Sequence, residues 1–132
     1  MDELVEGIRN EIDAWPDPGL VPDAVALFGS AATGRMRPTS DIDLFVLQPD
    51  ELLDTIGEGA ELRQESWDHQ LEWLRRVIGR WTGNDVRILD LSWHDLGRGM
   101  DSELRPVVRD IAEHGIWVIG SADLLRSNVD AR

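Results

Sequence analysis

The chain has 132 residues and no cysteine, which predicts one domain with a core of its own and excludes disulfides and thiolate metal sites. Its formal net charge is −13, with 26 acidic residues against 13 basic ones, all of them arginine, so the basic stripe that nucleic-acid binding needs is missing and that partner class is disfavoured. No apolar run approaches the ~20 residues that span a bilayer, and Met1-Asp2-Glu3 lacks the basic and apolar regions of a signal peptide, so the expectation is a cytoplasmic protein without membrane contact.

Residues 2–14 read as a helix, with Leu4, Ile8 and Ile12 on one stripe, ended by Trp15-Pro16-Asp17-Pro18-Gly19. Ala24-Val25-Ala26-Leu27-Phe28 is short and apolar and stops at Gly29, the pattern of a buried strand. After Gly29-Ser30 the small residues suit the opening of a short helix, and Gly34, Pro38, Thr39 and Ser40 mark a loop. Ile42–Leu47 is a second strand, apolar except for Asp43. Gln48-Pro49-Asp50 begins a helical region that Gly57 and Gly59 are expected to break.

A longer helix is predicted over 61–80. Trp67, Leu71, Leu74 and Ile78 share one face, and Trp73, Val77 and Trp81 form a second apolar stripe beside it. That wide face suits either burial within the monomer or contact with a partner protein. Gly83-Asn84 turns the chain into a third strand, 86–91. Pro106 suits the first turn of a helix that Gly115 stops, and Ile116–Ile119 is a final strand. The domain is drawn as 1–125, with 126–132 as a polar, frayed tail. This order of elements predicts an α/β or α+β domain, a small mixed sheet flanked by helices.

The chemistry concentrates in Gly29-Ser30, ten further residues, then Asp41-Ile42-Asp43. Gly29 has no Cβ, so the backbone there can approach a phosphate, and free N–H groups at a helix start favour anions. Asp41 and Asp43, two apart on a strand, point to the same side. At a separation of ~4 Å and an effective dielectric of ~20 their repulsion is roughly 4 kcal/mol, which a divalent cation relieves. Carboxylates, phosphates and water are the ligands magnesium prefers. The motif therefore describes a site for a nucleoside triphosphate and its magnesium. Arg35 and Arg37, in the intervening loop, suit contact with the triphosphate or simple solubility. His69, His94 and His114 lack metal-ligand spacing, and no Walker-type loop is present.

Gly29, Ser30, Ala32, Gly34, Ser40, Asp41, Asp43 and Leu44 together resemble the polymerase-β-like nucleotidyltransferase superfamily, and more narrowly its minimal members, which lack an added base-binding domain. Thr33 departs from the pattern, since many relatives have Arg there. The resemblance implies transfer of a nucleoside monophosphate, AMP in the first instance, from an NTP such as ATP to a hydroxyl acceptor with two Mg2+ ions. It implies nucleotide contacts from Gly29, Ser30, Arg35, Arg37 and Ser40, and metal contacts from Asp41, Asp43 and a third carboxylate on the strand 86–91. Asp90 is the only acid within that strand, with Asp85 as the fallback. Many small relatives read Val-Asp-x-x-Asp-Leu here, and the first of those acids falls on Arg87, which puts activity in doubt.

Small proteins of this pattern include antitoxins paired with HEPN-type toxins, so the resemblance points to a toxin partner that receives the AMP. Two other readings stay open. One is nucleotidylation of a small hydroxylated molecule such as an aminoglycoside. The other is a non-catalytic toxin-binding module that keeps the fold, for which Arg87 is the argument.

Overall fold

The apolar strands predicted from the sequence pair into one sheet, and the helices cover both of its faces. The structure, a computed structural model, describes residues 2–15, 20–29, 41–49, 58–96 and 103–129. Their elements run α1 (Asp2–Asp13), β1 (Ala24–Phe28), β2 (Ile42–Leu47), α2 (Glu58–Thr82), β3 (Val86–Leu91), α3 (Trp93–Leu96), α4 (Leu104–His114), β4 (Ile116–Ile119) and α5 (Ala122–Val129). This is the α+β architecture expected, a mixed four-stranded sheet between helices.

The spatial order is β3-β2-β1-β4. β1 lies antiparallel to both β2 and β4, while β2 and β3 are parallel, in a register that sets Ile42 beside Val86 and Leu47 beside Leu91. Parallel neighbours need a crossover, and the long helix α2 provides it.

Strand alternation divides the core in two. Val25, Leu27, Ile42, Leu44, Val46 and Val86 pack with Ile8 and Ile12 of α1 and with Trp67, Leu74 and Ile78 of α2. Ala24, Ala26, Phe45, Leu47 and Leu91 pack on the other side with Leu96, Val108, Ile111 and Leu125. Both faces are covered, which is why β1 and β2 read as nearly continuous apolar runs.

Polar contacts fix the helices on this sheet. Arg9 of α1 donates from Nε (3.0 Å) and Nη2 (2.6 Å) to the Val118 carbonyl of β4. Trp93 donates its indole N–H to Asp23 at 2.7 Å. Ser92 and Asp95 cap α3 reciprocally: Ser92 N donates to Asp95 Oδ2 at 2.9 Å, and Asp95 N to Ser92 Oγ at 3.1 Å. α2 ends at Gly83, whose φ of 73° is the left-handed cap that lets its N–H reach the Gly79 carbonyl at 2.8 Å.

Asp90 belongs to this framework. Its register partner is Val46, so it faces α1 and α2 with Val86 and Ile88, away from Asp43. Its Oδ1 accepts from Trp67 Nε1 and Gln48 Nε2, both at 3.1 Å. Trp67 is fully buried, with its ring edge-to-face on Trp15 at 6.3 Å.

Several boundaries differ from the sequence expectation. α2 starts at Glu58, so Gly59 lies inside a helix rather than breaking one; a single glycine costs about 1 kcal/mol, which a 25-residue helix with a buried face absorbs. α5 runs through Arg126 to Val129, where a frayed tail was expected, and Leu125 anchors it in the core. Gln48 and Pro49 are not helical, and the rest of the helical region predicted after them, 50–57, lies outside the described residues, as does the short helix predicted after Ser30.

Burial raises the Asp90 pKa above the ordinary 3.8, against the opposing hydrogen bonds from Trp67 and Gln48. The native state then holds the proton more tightly than the unfolded chain. Asp90's contribution is therefore fullest below that ordinary value and is lost as pH rises through its higher folded value. Asp90→Asn, which keeps an acceptor, should gain stability relative to the parent as urea unfolding is moved from about pH 4 to about pH 7. Asp90→Ala leaves two donors without an acceptor and should cost about 1–3 kcal/mol throughout.

Candidate functional site

Because β1 opposes β2 and β3 runs with it, the end of β1 and the starts of β2 and β3 meet at one end of the sheet. Gly29 follows β1, Asp41 precedes β2, and Asp43 is its second residue. Phe28 and Arg87 are the register partners of Asp43 on either side. Alternation sends Asp41, Asp43 and Arg87 to the same face of the sheet.

Gly29 is shaped by this neighbourhood. Its φ is +68°, and a Cβ there would stand 2.5 Å from Asp43 Oδ2. The glycine expected to admit a phosphate thus also leaves room for the carboxylate. That second role follows from the antiparallel pairing of β1 and β2, which the sequence alone does not specify.

The electrostatics are those of two acids beside one base. Arg87 Nη2 lies 2.9 Å from Asp41 Oδ2, with side-chain exposures of 76% and 34%. Burial pushes the Asp43 pKa upward, Arg87 pulls it down, and the charge of Asp41 raises it again. The net direction is upward, with burial the largest cause.

The other predicted residues fall elsewhere. Asp90, expected as the third metal ligand, is on the opposite face, because three residues separate it from Arg87 and β3 runs without a bulge against β2. Asp85, the fallback, lines a groove with Arg75, Arg76 and Arg80 at the end of α2. Ser30, Arg35, Arg37 and Ser40 lie outside the described residues. Of the tryptophans proposed for partner contact, Trp67 is buried, while Trp73 and Trp81 are each 52% exposed. Trp73 borders a groove of about 590 Å³ on α2 with Leu62, Glu65, Ser66, His69 and Gln70.

Asp41 and Asp43 suit one hard divalent cation: two carboxylates on one face of the sheet beside the Gly29 turn. The three-carboxylate set expected for two Mg2+ ions is not assembled. Among the described residues no group of three or more His, Cys, Asp or Glu side chains could hold a metal ion.

A mixed sheet with a glycine turn and a carboxylate pair at one end defines a candidate phosphate-and-cation site on an α+β scaffold. The chain belongs to the nucleotidyltransferase domain family, whose model matches residues 8–118. Among solved structures it is similar to a toxin–antitoxin crystallised with AMP-PNP (TM-score 0.53, 19% identity, 98% of this chain and 82% of that chain). It is also similar to the toxin–antitoxin MntA–HepT (TM-score 0.51, 18% identity, 99% and 82%). At these identities the likeness is one of fold. No curated protein matches the chain in sequence.

Gly29→Ala would place an L-residue in the left-handed region, at a cost of about 1–2 kcal/mol, and would drive its Cβ into Asp43. Calorimetry should show Mg-ATP affinity reduced by about tenfold or more, the equivalent of losing one charge-assisted contact, while circular dichroism reports a folded chain. Asp41→Ala and Asp43→Ala should abolish metal-dependent ATP binding. Unaltered binding in both would remove this end of the sheet as the site.

Proposed function

We propose that this chain is a minimal nucleotidyltransferase that moves AMP from ATP to a hydroxyl on a partner protein, a HEPN-type toxin, and so acts as its antitoxin. The observation that carries the reading is the pair Asp41–Asp43 on one face beside Gly29. The family supports the transferase chemistry. The fold shared with toxin–antitoxin structures, one of them holding AMP-PNP, supports the adenine nucleotide and the kind of partner.

In this reading the Gly29 turn admits the triphosphate and the carboxylates face its α-phosphate. The acceptor hydroxyl oxygen bonds to the α-phosphorus, the bond to the bridging oxygen breaks, and pyrophosphate leaves. The hydroxyl proton passes to the carboxylate pair and on to water. Mg2+ bound by Asp41 and Asp43 would supply charge neutralisation for the phosphate oxygens. Positioning and electrostatics account for most of such a transfer, so a small domain suffices when the partner completes the acceptor pocket.

In this reading the partner lands on α2, where Leu62 and Trp73 are exposed beside Glu65. An aromatic anchor with an acidic rim suits a basic protein surface. No helix among the described residues is long and apolar enough to cross a membrane.

The salt bridge of Arg87 to Asp41, with Asp90 on the far face, favours a second reading, a neutralising module that binds the toxin without modifying it. One experiment separates the two. The protein is mixed with ATP, Mg2+ and a candidate HEPN-type toxin, and the partner is weighed intact. AMP transfer adds about 329 Da per group, and Asp43→Ala should abolish the gain. Tight binding at unchanged mass would establish the neutralising module instead.

A further inference from the structure

Arg87 brings a base to a site of two acids. It is the β3 residue in register with Asp43, it shares the face of both carboxylates, and its Nη2 lies 2.9 Å from Asp41 Oδ2. As an exposed pair this bridge adds little to stability. Its consequence is local: one side chain brings a permanent positive charge up against the carboxylate pair.

We infer that the site takes a single divalent ion, with the Arg87 guanidinium serving as the second cation. This rests on the reading of Asp41 and Asp43 as the nucleotide site. A third carboxylate would draw a second ion in, whereas a guanidinium repels it. Arginine is also the side chain best matched to phosphate oxygens, since its planar fork donates two parallel hydrogen bonds and never loses its charge. With 76% of its side chain exposed, Arg87 is free to turn from Asp41 to a phosphate when a nucleotide arrives. Without nucleotide it competes with the metal for Asp41. With nucleotide it neutralises phosphate charge that a second ion would otherwise meet. Metal and nucleotide binding are thereby coupled through one side chain.

Mn2+ titrations, read by the electron paramagnetic resonance of the free ion, test this on the intact chain, alone and with AMP-PNP. The parent should hold one Mn2+ per chain with AMP-PNP. Arg87→Gln should bind Mn2+ about tenfold more tightly in the absence of nucleotide, a modest fraction of the repulsion between close like charges. It should also bind AMP-PNP more weakly at fixed Mn2+. Arg87→Asp should admit a second ion, and Arg87→Lys should stay at one. Circular dichroism checks each variant, and Arg87→Gln carries the test if Arg87→Asp does not fold. Two ions in the parent, or parental Mn2+ affinity in Arg87→Gln, would overturn the inference and leave the nucleotide site standing. Parental Mn2+ binding in Asp41→Asn and Asp43→Asn would overturn the site itself and the inference with it.

Discussion

The pleat of β2 is the constraint on which the rest depends. Ile42, Leu44 and Val46 go to one core, and Phe45 and Leu47 to the other. Asp43 therefore has no choice of side, and Asp41 goes with it. Once β2 is set, parallel pairing places Arg87 beside Asp43 and Asp90 beside Val46. A slip of one residue in β3 would exchange the two faces, bury a guanidinium against α2 and take the acceptor away from Trp67. The apolar residues of β3 oppose that slip: Val86 and Ile88 belong to one core, Leu89 and Leu91 to the other.

The two part-buried carboxylates of this strand pair are handled differently. Asp90 is met by an indole and an amide, donors without charge, and it ties α2 to the sheet. Asp43 lies in register with Arg87, whose ion pair is with Asp41, and feels the charge of both. Burial raises the pKa of both. Asp90 is thus tied into the framework by neutral donors, whereas Asp43 stands among charged groups at one end of the sheet.

Much of this was legible in the residues. Period-two and period-3.6 patterns located all four strands and α1, α2 and α4, and Gly29 with Asp41 and Asp43 located the candidate site. The face of Asp90 was not legible, because it depends on the register of β3 against β2, which pairs residues as distant in sequence as Val46 and Asp90. Gly59 misled because a local breaker was weighed without the burial that opposes it. α5 was missed because its polar C-terminal half hid the anchor at Leu125. The capping of α3 was written locally, as Ser92 and Asp95 three residues apart, and passed unnoticed.

Arg9 has a consequence at the far side of the sheet. β4 is an outer strand, and an outer strand carries backbone groups that another chain can pair with. By donating twice to the Val118 carbonyl, the guanidinium uses acceptor capacity there within the molecule, and it places a charge against the strand. The strand is thereby less open to sheet extension by further copies of the chain.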